Sequence, residues 1–233
     1  MEVALITGAS AGLGRALANA LAERDWTLIV DARGRDALTE AVDGLAPGTR
    51  VVALPGDVAD PVHRKELVQA THELGRLDLL VNNASHLGPS PQPGLATYPP
   101  DELRRVYEVD VFAPLALVQA TIDMLTATSG TIVNVSSDAA VEPYEGWGGY
   151  GSAKAALDQA TAVLAAEHPA LSVYAFDPGD MRTAMHQRAY PGEDISDRPE
   201  PETVAPAFIR LVTERPPSGR YRASDFAALE VRL

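Results

Sequence analysis

Cysteine is absent from this 233-residue chain, which excludes disulfide bonds, thiolate nucleophiles and cysteine-based metal sites. Lysine is scarce, because only Lys65 and Lys154 among the 19 basic residues are lysines and the others are arginines. Basic residues are outnumbered by 32 acidic ones, which gives a net charge of -13. We therefore expect neither nucleic acid nor a membrane as a partner, because binding phosphates requires clustered cations.

The sequence also has no basic leader and no uninterrupted apolar segment of the ~20 residues that cross a bilayer. Gly8 ends the first apolar segment too early for a signal peptide, so we expect a cytoplasmic protein. Hydrophobic residues make up 46% of the chain and charged residues 22%. This composition supports one substantial core, and we expect a single domain over residues 1–233.

Short apolar runs alternate with helical patterns along the chain. The runs are almost continuously apolar, which is typical of a parallel sheet covered by helices on both faces. Strict alternation predicts a doubly wound α/β sheet of about seven strands with right-handed crossovers. The predicted strands are 3–7, 27–32, 50–55, 77–82, 131–136, 171–177 and 220–224, and the predicted helices are 13–24, 35–44, 60–74, 100–127, 150–167 and 201–214.

Two segments rich in proline and glycine follow predicted strands, at residues 86–100 and near 184–200. In an open α/β sheet, ligands bind at the edge formed by the carboxyl ends of the strands. Surface connections can have this composition, but the length of both segments favours substrate loops or a lid.

A glycine-rich turn, TGASAGLG at residues 7–14, joins the first strand to the first helix. Glycines permit positive φ and let backbone amides approach a pyrophosphate at the helix N-terminus. The G-x-x-x-G-x-G spacing differs from the G-x-G-x-x-G dinucleotide fingerprint and from a phosphate loop ending in Gly-Lys. An ordinary strand–helix turn is the alternative, but the position and the flanking elements favour a nucleotide.

Tyr150 and Lys154 lie four residues apart at the start of a predicted helix, so their side chains share one face. A phenol with a pKa near 10 is a poor acid–base group at neutral pH. We expect the ammonium and the positive end of the helix dipole to lower that pKa. A half-buried tyrosine beside a solvated lysine is the alternative, which the scarcity of lysine disfavours.

Five motifs occur in order along the chain: TGASAGLG at 7–14, LVNNAS at 80–85, VSS at 135–137, YGSAK at 150–154 and DPGDMRT at 177–183. Their order and spacing resemble the short-chain dehydrogenase/reductase family over nearly the whole chain. The resemblance implies a Rossmann-like fold and an oxidoreductase that interconverts a ketone or aldehyde with an alcohol by hydride transfer.

The resemblance also implies roles for four side chains. Tyr150 would be the acid or base, and Lys154 would hold the nicotinamide ribose. Ser137 would hydrogen-bond the reacting oxygen. Asp110 stands where the family usually has asparagine, and an ionised carboxylate accepts hydrogen bonds without donating them. It could sustain a relay of reversed polarity, pair with Lys154, or weaken activity and leave a nucleotide-binding sensor or scaffold. We favour an active enzyme.

The resemblance implies a set of cofactor-binding residues drawn from four of the five motifs and from the ends of two further strands. The position of the acid that selects NAD falls on Ala32, and the position of the cation that binds a 2′-phosphate falls on Arg33. Asp31 lies one residue too early, so we expect NADP, with NAD as the alternative. The set is Gly8, Ser10, Gly12, Leu13, Gly14, Arg33, Asp57, Val58, Asn83, Ala84, Tyr150, Lys154, Pro178, Gly179, Met181 and Thr183.

The remaining expectations concern metals and partners. The five histidines are dispersed and lack the i,i+4 pair of a zinc helix, so no metal is expected. The expected substrate is a small carbonyl compound or alcohol. Helices 100–127 and 150–167 correspond to those that pair across a two-fold axis in the family, which implies a homodimer or homotetramer.

Overall fold

The computed structural model describes residues 1–227, so the last six positions of the predicted domain lie outside the described residues. Seven parallel strands form one sheet in the order β3-β2-β1-β4-β5-β6-β7. The predicted doubly wound parallel sheet is confirmed. Its strands are β1 Val3–Ile6, β2 Thr27–Ala32, β3 Val51–Pro55, β4 Leu79–Asn82, β5 Thr131–Val135, β6 Ser172–Asp177 and β7 Gly219–Arg222.

Helices follow the strands, with short 3₁₀ turns at Leu95–Thr97, Asp138–Ala140 and Pro201–Thr203. The α-helices are α1 Gly12–Ala22, α2 Arg35–Asp43, α3 Pro61–Leu74, α4 Pro100–Tyr107, α5 Ala113–Thr128, α6 Gly148–Glu167, α7 Ala184–Ala189, α8 Ala205–Glu214 and α9 Ser224–Ala227.

The helix predicted at 100–127 is divided by a π-helical turn, Glu108–Phe112, which separates α4 from α5. Pro114 lies in the first turn of α5 and has no N–H, so the regular ladder of helical hydrogen bonds is interrupted there. The helix predicted at 201–214 is shorter for a similar reason, since Pro206 lies in the first turn of α8. Both prolines are visible in the sequence, but the continuous apolar periodicity outweighed them in the prediction.

The inner strands β1, β2, β4 and β5 are buried on both faces of the sheet, since successive side chains of a strand point to opposite sides and all of them are covered. In β1, Ala4 and Ile6 join a core with α1 and α8, whereas Val3 and Leu5 join a second core with α3 and α5. This two-sided burial explains why the strands have almost continuously apolar sequences.

The helical stretch Pro100–Thr128 is long and apolar enough to cross a membrane, with a mean hydropathy of 1.4 in its most apolar window. The same stretch contains the fully buried Asp110, and α5 packs against α3 and the sheet. A core helix passes the same test of length and composition, and these contacts are those of a core helix.

The strand order reverses between β1 and β4, which lie side by side at the middle of the sheet. A reversal of this kind opens a crevice at the carboxyl ends of the strands. The glycine turn follows β1, NNAS begins at the end of β4, and the serine and DPG motifs begin at the ends of β5 and β6. The topology therefore brings these motifs to one edge.

Candidate active site

A cavity of about 510 Å³ opens at this edge. Its wall contains all but two of the residues expected at the site, the exceptions within residues 1–227 being Gly14 and Asp110. Gly14 packs behind the glycine turn, where a Cβ atom would come within 2.3 Å of the Gly8 carbonyl oxygen. Asp110 is fully buried behind Lys154. The site therefore combines a lining with a supporting layer of buried groups.

Hydrogen bonds with residues of the neighbouring strand β2 and of the loop after β4 fix the glycine turn. Gly8 has a φ of 68°, and its N–H donates to Asp31 Oδ1 at 2.7 Å. The Asn83 amide donates to the carbonyl oxygens of Thr7 at 2.8 Å and Gly8 at 3.1 Å. In the described chain no side chain caps the N-terminus of α1, and its first turn is free of acidic residues. Uncapped amides at a helix N-terminus fit an anionic group such as a pyrophosphate.

Asp31 lines the cavity, and its carboxylate is engaged by two other groups. Its carboxylate, 1% exposed, accepts the Gly8 N–H and contacts His63 Nε2 at 3.1 Å. The hydrogen bond to Asp31 raises the pKa of His63, and this effect outweighs burial, which lowers it. The sequence did not reveal this pair, because a buried contact between α3 and β2 leaves no local pattern.

Arg33 is exposed and lines the cavity one residue beyond the end of β2. Asp57, expected at the adenine, accepts the Ala59 N–H at 3.0 Å and forms an ion pair with Arg105 of α4. Burial raises the pKa of Asp57, but the Ala59 N–H and the Arg105 guanidinium together lower it by more. The net pKa of Asp57 therefore lies below its ordinary value. Arg105 was missed because its partner lies 48 residues earlier.

Tyr150 and Lys154 occupy one face of α6, as predicted, with Lys154 Nζ 5.4 Å from the centre of the phenol ring. Lys154 is 2% exposed, and its ammonium donates to the Val135 carbonyl oxygen at 2.9 Å. The alternative of a solvated lysine is thus wrong. Gly151 allows the start of α6 to pack closely against the turn after β5, since a Cβ atom there would lie 2.5 Å from the Ala139 carbonyl oxygen.

The expected lowering of the Tyr150 pKa is wrong for this structure. Burial raises the pKa of the phenol, the Lys154 ammonium lowers it, and Asp110 raises it again; the net pKa lies above the ordinary value of 10.0. The helical spacing showed the lysine but neither the burial nor the facing carboxylate.

Asp110 pairs with Lys154, which was one of the three alternatives left open by the sequence. Its Oδ1 lies 3.2 Å from Lys154 Nζ and accepts the Ser85 hydroxyl. Its Oδ2 accepts the His86 N–H at 3.0 Å. The pKa of Lys154 is raised, because Tyr150 and Asp110 together outweigh the lowering effect of burial.

Ser137 stands at the end of β5 beside the phenol, and Ser136 is buried in the turn. The Ser137 hydroxyl donates to Asp138 Oδ1 at 3.0 Å and accepts the Ala139 N–H at 3.2 Å. Its carbonyl oxygen accepts a hydrogen bond from Arg220 of β7 at 2.9 Å. Asp138 and Arg220 therefore fix the serine, a pair of contacts that the motif itself does not show.

Aromatic side chains surround the open end of the cavity next to Tyr150. The Trp147 ring centre lies 5.9 Å from that of Tyr150 and 6.0 Å from that of Tyr190. Tyr144 is 6.4 Å from Trp147, and His186 is 4.9 Å from Tyr190. Tyr144 and Trp147 were missed because they precede the YGSAK motif in a stretch with no pattern of its own.

The two predicted substrate loops contribute unequally to the cavity. In the described chain, segment 86–100 supplies His86 and Leu87, whereas segment 184–200 supplies several side chains, mostly from α7. Arg188 joins the segments: its guanidinium donates to the Gly88 carbonyl oxygen at 3.1 Å, and its carbonyl oxygen accepts the Ser90 hydroxyl at 2.7 Å. Within residues 1–227 no group of three or more His, Cys, Asp or Glu is arranged to hold a metal ion.

Comparisons with known proteins agree with this geometry. The sequence model of a family described as short chain dehydrogenase matches residues 2–194. The chain is 35% identical over 201 residues to the sepiapterin reductase of Meriones unguiculatus, covering 80% of this chain and 77% of that protein. It is 31% identical over 221 residues to a benzil reductase ((S)-benzoin forming) of Saccharomyces cerevisiae, covering 91% and 82%. An alcohol dehydrogenase from the archaeon Thermococcus sibiricus complexed with 5-hydroxy-NADP superposes with a TM-score of 0.84, 27% identity and 95% coverage of both chains.

Proposed function

The chain belongs to the short-chain dehydrogenase family, an NAD(P)-dependent oxidoreductase family, and we propose that it reduces a ketone to an alcohol with NADPH. One observation carries the proposal: Ser137, Tyr150 and Lys154 meet on the wall of a cavity that continues to the glycine turn. Such a cavity has a place for a nucleotide at one end and for a carbonyl group at the other.

Each of these side chains has a distinct part in the reduction. The bound cofactor supplies the hydride. Tyr150 donates its proton to the carbonyl oxygen, and the Ser137 hydroxyl, now directed at Asp138, turns to hydrogen-bond the same oxygen. Lys154 stabilises the phenolate that remains and has donors suited to ribose hydroxyls. Asp110 holds Lys154 in place by their ion pair.

We propose carbonyl reduction as the reaction that the surroundings of Tyr150 suit. Burial is the main cause that raises the pKa of the phenol above its ordinary value of 10.0. Carbonyl reduction uses the protonated phenol as the acid, and alcohol oxidation uses the phenolate as the base. A raised pKa favours the acid form, whereas the equilibrium between ketone and alcohol is set by the substrate and the two forms of the cofactor.

NADPH is proposed over NADH because of three neighbouring residues. The Asp31 carboxylate is occupied by Gly8 and His63, and Ala32 at the end of β2 has no acceptor for a ribose 2′-hydroxyl. Arg33 is exposed on the cavity and is suited to a 2′-phosphate. The Thermococcus sibiricus relative, complexed with 5-hydroxy-NADP, supports the same choice.

The aromatic end of the cavity favours a substrate with a flat ring next to its carbonyl group. Trp147 and Tyr190 offer faces on which such a ring can stack. Benzil, the compound in the name of one relative, is a 1,2-diketone flanked by two phenyl rings. We propose aryl ketones and aryl 1,2-diketones as the preferred class.

The assembly and location are proposed on the resemblance and on surface character. Phe112 is 54% exposed before α5 and Val163 is 43% exposed on α6, which supports pairing of these helices in a homodimer or homotetramer. A molar mass of 24.7 kDa by light scattering would contradict the pairing. We propose that the protein acts in the cytoplasm, and fractionation of cells tests this.

The direct test is an assay of NADPH oxidation with benzil, other aryl ketones and aliphatic ketones. We expect turnover with NADPH, several-fold or more above that with NADH, and the highest kcat/KM for aryl 1,2-diketones. Tight NADPH binding without turnover of any carbonyl compound would instead support the sensor or scaffold alternative.

A further inference from the structure

Two polar side chains near the Tyr150 phenol form a hydrogen bond with each other, although they are 25 residues apart in the sequence. Ser85 follows NNA after β4, and Asp110 lies in the π-helical turn between α4 and α5. The Ser85 hydroxyl donates to Asp110 Oδ1. A π-helical turn shifts the side chains that follow it relative to a regular helix, and such turns frequently occur at functional sites.

The Asp110 carboxylate is fixed by three contacts, two from the loop after β4 and one from α6. It is 0% exposed, with Lys154 Nζ of α6 at 3.2 Å and the His86 N–H at 3.0 Å, in addition to the Ser85 hydroxyl. A buried carboxylate with this many partners keeps one orientation. It therefore determines where the Ser85 hydroxyl lies.

That hydroxyl has a second neighbour, the Tyr150 phenol. Ser85 and Tyr150 both line the cavity, and a hydrogen bond to the phenol oxygen from Ser85 or from Ser137 favours the ionised phenol. A serine hydroxyl carries a single proton, so it can donate to Asp110 or to Tyr150 but not to both at once.

We propose that Ser85 is a catalytic residue whose hydroxyl turns from Asp110 to the Tyr150 oxygen when the phenol gives up its proton, and that Asp110 is the positioning residue. This rests on the proposed carbonyl reduction. The Tyr150 O–H bond breaks and the proton joins the alkoxide of the product. Ser85 keeps its own proton and stabilises the phenolate, while Asp110 continues to hold Lys154.

Asp110 also counters the charge of Lys154 at the phenol. Among the described residues, the charged groups with the largest effects on the pKa of Tyr150 are Lys154 of its own helix and Asp110 of the π-helical turn, followed by the neutral hydroxyls of Ser85 and Ser137. Asp158 acts on Lys154. The Lys154 ammonium lowers the pKa of the phenol and the Asp110 carboxylate raises it. Removing the carboxylate therefore leaves the ammonium to favour the phenolate.

The test is an ultraviolet titration of phenol ionisation in cofactor-free protein. The signal of Tyr150 is obtained by subtracting the titration of the same protein with Tyr150→Phe. Asp110→Asn is expected to move the ionisation of Tyr150 to lower pH by about one unit or more. Ser85→Ala is expected to move it to higher pH, since a donor to the phenolate is lost. Asp123→Asn removes an exposed carboxylate of α5 and should titrate like the wild type.

Kinetics supply the second measurement. Ser85→Ala should lower kcat for carbonyl reduction about tenfold with little change in KM, because the hydroxyl acts on the phenol and not on the bound ketone. Shifts of Tyr150 in the same direction for both variants, or no shift in either, would overturn the proposal, and so would a full kcat in Ser85→Ala. The titration needs no turnover, so an inactive protein would overturn the proposed function and leave the Ser85–Asp110–Tyr150 linkage to be decided by the titration.

Discussion

Arg33 is the residue on which the proposed choice of NADPH depends, because its neighbours are unable to replace it. Asp31 is turned inward to Gly8 and His63, and Arg105 is held by Asp57. Arg35 is exposed at the start of α2 and does not belong to the described cavity wall. A 2′-phosphate would therefore depend on one guanidinium.

Replacing Arg33 with alanine should raise the KM for NADPH by roughly 10- to 100-fold, since a hydrogen-bonded charge pair is lost. The KM for NADH should change by less than about threefold, because NADH lacks the phosphate. Steady-state kinetics with both cofactors measure this difference, and Arg35→Ala is the matched control. An equal loss with both cofactors would show that Arg33 does not recognise the phosphate.

The motifs predicted which residues line the site but not the partners that tune them. Tyr150 and Lys154 were recognisable because a helix brings positions four apart together. Asp31 and His63, Ser85 and Asp110, and Ser137 and Arg220 join residues 32, 25 and 83 positions apart. Such contacts depend on how helices and strands pack, and no local spacing encodes them. The raised pKa of Tyr150 arises from the same kind of packing.

Among the structural elements, α3 and β2 are linked through the buried pair of His63 and Asp31 beneath the cavity. Gly56 makes room for this pair, because a Cβ atom there would lie 2.2 Å from the His63 ring. The same carboxylate holds the Gly8 N–H, so the glycine turn is supported from α3 through two side chains.

This pair predicts a dependence of stability on pH. The hydrogen bond to Asp31 raises the pKa of His63 in the folded state above 6.5, so folding favours the protonated ring. The stabilisation is complete below the unfolded pKa of about 6.5 and is lost as the pH rises through the folded pKa. The Tm difference between wild type and His63→Gln should therefore be largest near pH 5 to 6 and should shrink at alkaline pH.

Thermal unfolding across that pH range provides the measurement. His72→Gln changes an exposed histidine of the same helix and should follow the wild-type curve. A destabilisation by His63→Gln that stays constant with pH would show that the histidine contributes packing alone.

The arrangement of elements was more predictable than their boundaries. Six apolar segments and the segment RYRAS at 220–224 predicted the seven strands in the correct class of sheet, because the inner strands of a parallel sheet are buried on both faces. The prediction of one continuous helix at 100–127 was wrong at the π-helical turn. The place of this turn, next to Pro114, can be located only when the backbone conformation is known. Asp110 lies in that turn, so the element that was mispredicted is also the one that brings the unexpected carboxylate to Lys154.

Across the whole fold, one sheet edge joins two kinds of surface in a single cavity. The end at β1, β2 and β3 offers uncapped amides and arginine, whereas the end at β5, α6 and α7 offers aromatic rings and hydroxyls. The net charge of -13 is consistent with a small substrate that enters this cavity. Such a substrate needs only the few cations of the cavity wall, Arg33 and Lys154. Tyr150 lies at the aromatic end of this cavity and is the group on which the proposed carbonyl chemistry depends.

The conversion of benzil to benzoin by wild type and by Tyr150→Phe, at saturating NADPH and neutral pH, is the most direct measurement. The account predicts that the variant still binds NADPH, with a Kd within about tenfold of the wild type, but loses kcat by about 1,000-fold, the contribution of a general acid. A Tyr150→Phe protein that reduces the ketone as fast as the wild type would contradict the account.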